Sequence, residues 1–136
     1  MRILVYGDSN SWGTPPDGSG ARIARRWPVV MAEVLGDEVI ENALPGRTTV
    51  HDDPGMARSE PAGTAWNGIA QLEAAMLAAS PVARVLIMLG TNDLKARFAP
   101  SPEKIAGNIA ALARLAARVP AGPGGWHDGV PPRVGL

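Results

Sequence analysis

The sequence predicts an α/β fold in which a mostly parallel sheet is covered by helices on both faces, as a three-layer α/β/α sandwich. Two observations predict it. Apolar strands and amphipathic helices alternate along the chain, and a polar, glycine-containing turn follows each of the first three strands. Parallel neighbours need crossover connections, so this alternation indicates a parallel sheet. Ligands bind such sheets at the carboxyl ends of the strands.

The individual elements follow from apolar spacing. Short apolar runs predict strands at residues 3–6, 38–43 and 83–89. Apolar residues recurring every three or four positions predict helices at residues 27–35, 66–76 and about 101–119. The first helix carries a stripe of Trp27, Val30, Met31, Val34 and Leu35. Ser101 and Pro102 are a typical cap and first-turn residue of the last helix.

The end of the chain departs from this regular order. Residues 120–132 are rich in proline and glycine, and residues 133–136 resemble the opening of a fourth strand. We expect that strand at the centre of the sheet, where the lack of a following helix leaves one face poorly covered. This pattern predicts a truncated or frameshifted product.

Composition excludes several classes of function. The 136 residues suit one domain, residues 1–136. Thirteen basic residues balance 13 acidic ones, which argues against a nucleic-acid binder. No apolar stretch approaches the roughly 18 residues that cross a bilayer, and no signal peptide is evident. Without cysteine there is no disulfide framework and no thiolate metal site. A cytoplasmic protein that acts apart from membranes and nucleic acids is the expectation.

Three polar turns are the candidates for chemistry. Gly7-Asp8-Ser9-Asn10 follows the first strand, Pro45-Gly46-Arg47 the second, and Gly90-Thr91-Asn92-Asp93 the third. The alternative interpretation is that Asp8 or Ser9 caps the next segment and that the others are ordinary turns. Turns at the ends of parallel strands meet at one edge of the sheet, which unrelated caps need not do.

These blocks resemble those of the SGNH (GDSL-type) hydrolases. They comprise Gly-Asp-Ser at 7–9, the glycine at 46, and Gly-Thr-Asn-Asp at 90–93. The wider match, including Ser11-Trp12-Gly13, Arg47-Thr48-Thr49 and Asp52-Asp53-Pro54, is closer to the arylesterase/acyltransferase-like branch. The resemblance covers nearly the whole chain and implies the flavodoxin-like fold of that family, incomplete at its C-terminus.

The resemblance implies hydrolysis or acyl transfer of small carboxylic esters through an acyl-enzyme. Ser9 Oγ would attack the carbonyl, and the Ser9 and Gly46 backbone N–H groups and the Asn92 amide would form the oxyanion hole. We expect Asp8, Trp12, Arg47 and Asp93 to contact the substrate, with Trp12 as a wall of an acyl pocket. No cofactor and no metal is expected. Trp27 and Trp66 suit either the core or an interface, so a homo-oligomer stays open.

The family's general base is missing from the pattern. That base is a histidine three residues after an aspartate, whereas this chain has only His51 and His127, and His127 precedes Asp128. We expect loop roles for both histidines. Without its base a serine hydrolase keeps only about 10³–10⁴ of rate enhancement over water. The chain is therefore expected to be nearly inactive unless His51 or a partner chain supplies the base.

Two alternatives from other classes remain. A non-catalytic pseudo-enzyme or binding module would keep the pocket without the base. A haloacid-dehalogenase-like phosphatase would use Asp8 as nucleophile, but Asn10 stands where its second acid belongs. Three assays distinguish these functions. Hydrolysis of p-nitrophenyl acetate and labelling of Ser9 by an organophosphate favour the esterase, Mg²⁺-dependent phosphatase activity favours the phosphatase, and absence of hydrolysis favours the pseudo-enzyme.

Overall fold

A computed structural model describes residues 1–56, 63–124 and 129–136. Its elements are four strands, four α-helices and three short 3₁₀ turns. The strands are β1 (Arg2–Gly7), β2 (Glu38–Ala43), β3 (Arg84–Met88) and β4 (Arg133–Gly135). The helices are α1 (Ser9–Trp12), α2 (Trp27–Leu35), α3 (Gly68–Ala79) and α4 (Pro102–Ala116). The 3₁₀ turns are Thr64–Trp66, Thr91–Leu94 and Ala96–Phe98.

The sheet is parallel throughout, with strand order β2-β1-β3-β4. This confirms the α/β fold with a parallel sheet flanked by helices. The fourth strand is a correction: β4 pairs with β3 alone among the described strands and lies at an edge, not at the centre. Strand order depends on which strands pair across long sequence separations, and apolar spacing carries no such information.

The core lies between the sheet and the helices α3 and α4. Leu4 and Tyr6 of β1 and Val85 and Ile87 of β3 share one cluster with residues of the two helices. Alternate residues of a strand point to opposite faces. Ile3 and Val5 are also buried, so β1 is covered on both faces, as its unbroken apolar run indicates. Around β3 the cover is thinner, since Met88 is 46% exposed.

Element boundaries differ from the expected ones by a few residues. The helix expected from Trp66 begins at Gly68, because Asn67 is extended and its side chain caps the new helix at Ala70 N, 3.4 Å away. The last helix ends at Ala116 rather than near Val119. Strand β3 is one residue shorter at each end than expected.

Helix α2 has the expected bounds but not a fully buried stripe. Val34 is 77% exposed and Leu35 is 54% exposed, although both fall at stripe positions. Apolar spacing predicted the helix correctly. Burial of the end of its stripe also requires a neighbour there, and the spacing says nothing about that.

Candidate active site

The Ser9 turn directly follows the buried central strand β1. Asp8 is the N-cap of α1, and its Oδ1 accepts a hydrogen bond of 2.9 Å from the Asn10 backbone N–H. A Cβ on Gly7 would lie 2.3 Å from Ser11 Oγ, so only glycine lets the chain turn this tightly. Asp8 is 1% exposed, whereas Ser9 is half-buried. Ser9 thus lies at the carboxyl edge of the sheet and is accessible in part.

Burial sets the electrostatics of this turn. Loss of hydration raises the pKa of Asp8 above its ordinary value. Hydrogen bonds from Asn10 and the positive charge of Arg47 act in the opposite direction. Asp8 is therefore a buried carboxyl group that is held in place next to the candidate nucleophile.

The Gly46 turn requires glycine on two grounds. Its φ of +89° lies in the left-handed region, and a Cβ there would lie 2.5 Å from the Met56 Cε methyl. The residue is buried just beyond the end of β2. Met56 thus packs against the Gly46 backbone at the position that a side chain would occupy.

The buried side chain of Arg47 bridges the carboxyl ends of β1 and β2 through hydrogen bonds. Its Nη1 donates to the carbonyl oxygens of Asn42 at 2.7 Å and Gly7 at 3.2 Å, and its guanidinium lies 4.2 Å from the Tyr6 ring centroid. The side chain is only 6% exposed, and this burial lowers the pKa of Arg47. The Tyr6 hydroxyl in turn donates to Gly68 O at 2.7 Å. Arg47, expected to contact the substrate, is found against the backbone of the strand ends.

Asn92 connects the three turns. It lies in the 3₁₀ turn after β3, and its Nδ2 donates to Arg47 O at 3.0 Å and to Asp8 Oδ2 at 3.4 Å. Asp8 precedes Ser9 and Arg47 follows Gly46. One amide nitrogen therefore contacts the chain neighbours of both other candidate residues, and the three turns lie together at one edge of the sheet.

Asp93 is buried beneath this site. It is 1% exposed, and its carboxylate accepts hydrogen bonds from the Thr49 backbone N–H at 2.9 Å and from the Thr49 hydroxyl. His51 Nε2 lies 3.6 Å from Asp93 Oδ1, and the imidazole stacks on Phe98 with ring centroids 4.4 Å apart. Asp93 thus fixes the loop after Gly46 to the turn that carries Asn92.

Sequence reasoning missed a second carboxylate that joins the same two segments. Asp53 is fully buried and accepts from Arg97 Nη1 at 2.7 Å and from Lys95 Nζ. Its Oδ1 also accepts from Gly55 N at 3.2 Å. The sequence does show an acid in a Gly/Pro-rich loop and two basic residues, Lys95 and Arg97, soon after Asn92. Their spacing along the chain does not show that they pair with Asp53.

Trp12 is the last residue of helix α1. The ring is half-buried, and the Arg22 guanidinium lies 5.2 Å from its centroid. The Trp12 carbonyl accepts a 2.6 Å hydrogen bond from Arg22 Nε. His127 and Asp128 lie outside the described residues.

Within residues 1–56, 63–124 and 129–136, the helices are too short or too polar to span a bilayer. No group of three or more His, Asp or Glu side chains in those residues is placed to hold a metal ion.

Comparisons with known proteins show the family and the fold that the chain resembles. The GDSL-like lipase/acylhydrolase family matches residues 5–134. The inhibitor-bound aryl esterase of M. smegmatis shares 38% identity at a TM-score of 0.83, covering 98% of this chain and 61% of that one. Est24, a carbohydrate acetylesterase from Sinorhizobium meliloti, shares 34% identity at a TM-score of 0.83, with coverage of 98% and 61%. No curated protein matches.

The chain spans about 60% of the length of these solved structures, and the family match covers nearly all of it. The turns with Ser9 and Asn92 both fall inside the matched range. The chain belongs to the GDSL-like lipase/acylhydrolase family of esterases.

Proposed function

We propose that the chain carries the acyl-transfer site of an ester hydrolase or acyltransferase that acts on small carboxylic esters through an acyl-Ser9 intermediate. One observation supports this most strongly. The Asn92 amide nitrogen lies 3.4 Å from Asp8 Oδ2 and 3.0 Å from the Arg47 carbonyl oxygen, and these two residues are the chain neighbours of Ser9 and Gly46.

The proposed reaction uses these groups in a fixed order. Ser9 Oγ adds to the acyl carbonyl while its proton passes to a base, and the carbonyl oxygen becomes an oxyanion. The backbone N–H groups of Ser9 and Gly46 and the Asn92 amide donate hydrogen bonds to that oxygen. Collapse releases the alcohol, and water or a second alcohol then removes the acyl group. Each preorganised donor contributes about 10²–10³ in rate.

The two hydrogen bonds of Asn92 differ in strength, and the difference suits this role. The bond to Arg47 O is 3.0 Å long, whereas the bond to Asp8 Oδ2 is 3.4 Å and so weaker. The shorter bond holds the amide in position. The hydrogen directed at Asp8 is the one that a developing oxyanion takes over at little cost.

The proposed site lacks an identified general base. Neither of the two histidines stands three residues after an aspartate. His51 faces Asp93 and Phe98, which supports a role in the loop rather than at Ser9. We therefore propose that these 136 residues by themselves turn over esters slowly, by attack of a Ser9 hydroxyl that has no positioned histidine to take its proton, with the oxyanion hole still stabilising the intermediate.

Hydrolysis of p-nitrophenyl acetate by the chain and by Ser9→Ala tests the proposal. A low but measurable rate that disappears in Ser9→Ala supports it. Ser19→Ala, which removes an exposed hydroxyl elsewhere, is the matched control and keeps the full rate. Equal, negligible rates for the chain and Ser9→Ala would reject catalysis by this polypeptide and favour the pseudo-enzyme.

A further inference from the structure

A small polar cavity lies where β2, the 3₁₀ turn at Thr64 and helix α3 meet. Its volume is about 270 Å³, which suits a ligand of a few atoms. Arg47 is the charged residue of its lining, and no acidic side chain belongs to that lining. The lining residues are Asn42, Arg47, Thr64, Ala65, Gln71, Ala74 and Ala75. None of the groups that the proposed reaction uses is among them.

Two of the five N–H donors of Arg47 remain unused among the described residues. Nη1 donates to the carbonyl oxygens of Asn42 and Gly7, and Nη2 donates to Asn42 Oδ1 at 3.0 Å. Nε is buried and has no hydrogen-bond partner. A guanidinium carries five N–H groups, so Nε–H and one Nη2–H are left. Nε and Nη2 share one edge of the planar group, and such an edge can hold both oxygens of a carboxylate.

The positive charge of Arg47 is buried without a counter-ion in the part of the chain that the structure describes. The residue is 6% exposed, and the ion pairs among residues 1–56, 63–124 and 129–136 do not include it. Asp8 attracts it only from beyond ion-pair distance. Glu41, the acid next to Asn42 on β2, is already bonded to Arg26 at 2.5 Å. Because a buried charge is normally paired, this unbalanced cation in a cavity wall favours an anionic ligand.

We propose that the cavity is a binding site for a small carboxylate, whose oxygens accept hydrogen bonds from the Nε and Nη2 edge of Arg47. The amide of Gln71 is available as a further donor, because its present bond to Thr64 O is long, at 3.3 Å. Since Nε is enclosed, the ligand must draw this edge of the guanidinium toward the cavity. The site is separate from the Ser9 reaction and is expected to bind whether or not the chain turns over esters.

Titration with acetate, balanced against sodium chloride at constant ionic strength, tests the site by NMR. We expect the Arg47 Nε–H signal and the amide signals of Ala65, Gln71 and Ala75 to shift along one saturable curve. Half-saturation should fall on the order of 10 mM or lower. Acetamide has the same shape without the charge and should bind at least about tenfold more weakly. Shifts confined to other residues, a response that does not saturate, or equal binding of acetamide would overturn the proposal.

Gln71→Glu puts a carboxylate into the cavity, and Ala70→Glu adds the same charge one residue earlier on α3, at an exposed position outside the lining. We expect Gln71→Glu to lose at least about tenfold in acetate affinity and Ala70→Glu to stay within about twofold of the unmodified chain. Equal affinities of the two variants would contradict the site. Ala74→Glu, at an exposed lining position, repeats the test if Gln71→Glu does not fold.

Discussion

Asn92 and Arg47 make contacts that their residue types alone do not predict. Asn92 is a turn former by composition, yet its amide spans two other turns. Arg47 is charged, yet its charge is buried on the Tyr6 ring and on strand-end carbonyls. The types and their order along the chain were sufficient to select Ser9, Gly46 and Asn92 as candidates. The inward orientation of Arg47 was not predictable, because it depends on which carbonyls remain unpaired where β1 and β2 end.

The conformation of Gly46 gives a first prediction. Gly46→Ala forces an alanine to φ +89° and brings its methyl onto Met56, whereas Gly36→Ala meets only the backbone strain at φ +65°. We expect Gly36→Ala to cost about 1 kcal/mol of unfolding free energy and to keep esterase activity. Gly46→Ala should cost more and abolish activity, as urea unfolding and p-nitrophenyl acetate assays would show. Equal behaviour of the two variants would speak against a special role for Gly46.

Tyr6 gives a second prediction. It is the only tyrosine, and burial raises its pKa from 10.0 to about 12, partly offset by Arg47. The unfolded chain releases this proton near pH 10, so the free energy of unfolding is unaffected below pH 10. It falls by about 2–3 kcal/mol as the pH rises toward 12.

The ultraviolet absorbance of tyrosinate follows this titration directly, since no second tyrosine contributes. Tyr6→Phe should remove that part of the alkaline stability loss, although it also loses the hydrogen bond to Gly68. A titration midpoint near 10 in the folded chain would show that the hydroxyl is not buried as described.

At the scale of elements, the candidate site consists of three turns, and two buried carboxylates tie the loop after Gly46 to the turn after β3. Asp93 joins Thr49 to the turn after β3, and Asp53 joins its own loop to Lys95 and Arg97. The convergence of the turns was predictable, because the carboxyl ends of parallel strands meet at one edge. The Asp53 ion pairs were not, because they join residues more than 40 positions apart in loops without a repeating pattern.

Asp53→Asn tests this tie between loops, with Asp52→Asn as the matched control. Asp53 is fully buried between two partly exposed cations, so its neutralisation should cost about 1–3 kcal/mol of unfolding free energy after allowance for solvent screening. Asp52 is exposed and bonded to Asn67, and its change should cost about 0.5 kcal/mol.

The two variants should also differ in catalysis. Asp53→Asn loosens the segment that carries Asn92, so we expect kcat to fall more than KM rises, while Asp52→Asn leaves both unchanged. If Asp53→Asn retains the wild-type kcat, this carboxylate stabilises the fold without positioning Asn92.

At the scale of the whole molecule, a four-stranded parallel sheet positions the candidate site at its carboxyl edge. Alternation of strands and helices predicted that arrangement, and the family match over residues 5–134 agrees with it. The position of β4 in the order β2-β1-β3-β4 could not be predicted. Its three residues are too few to show an apolar pattern that would place the strand in the sheet.

The proposed reaction requires that Ser9 Oγ, the Gly46 N–H and the Asn92 amide surround one carbonyl site. A crystal structure of the chain after prolonged reaction with a p-nitrophenyl phosphonate tests it most directly, because a stoichiometric reagent tolerates slow chemistry. We expect phosphorus bonded to Ser9 Oγ and a phosphoryl oxygen about 3 Å from both Gly46 N and Asn92 Nδ2. Phosphorus on another residue, no adduct at all, or a phosphoryl oxygen far from both donors would contradict it.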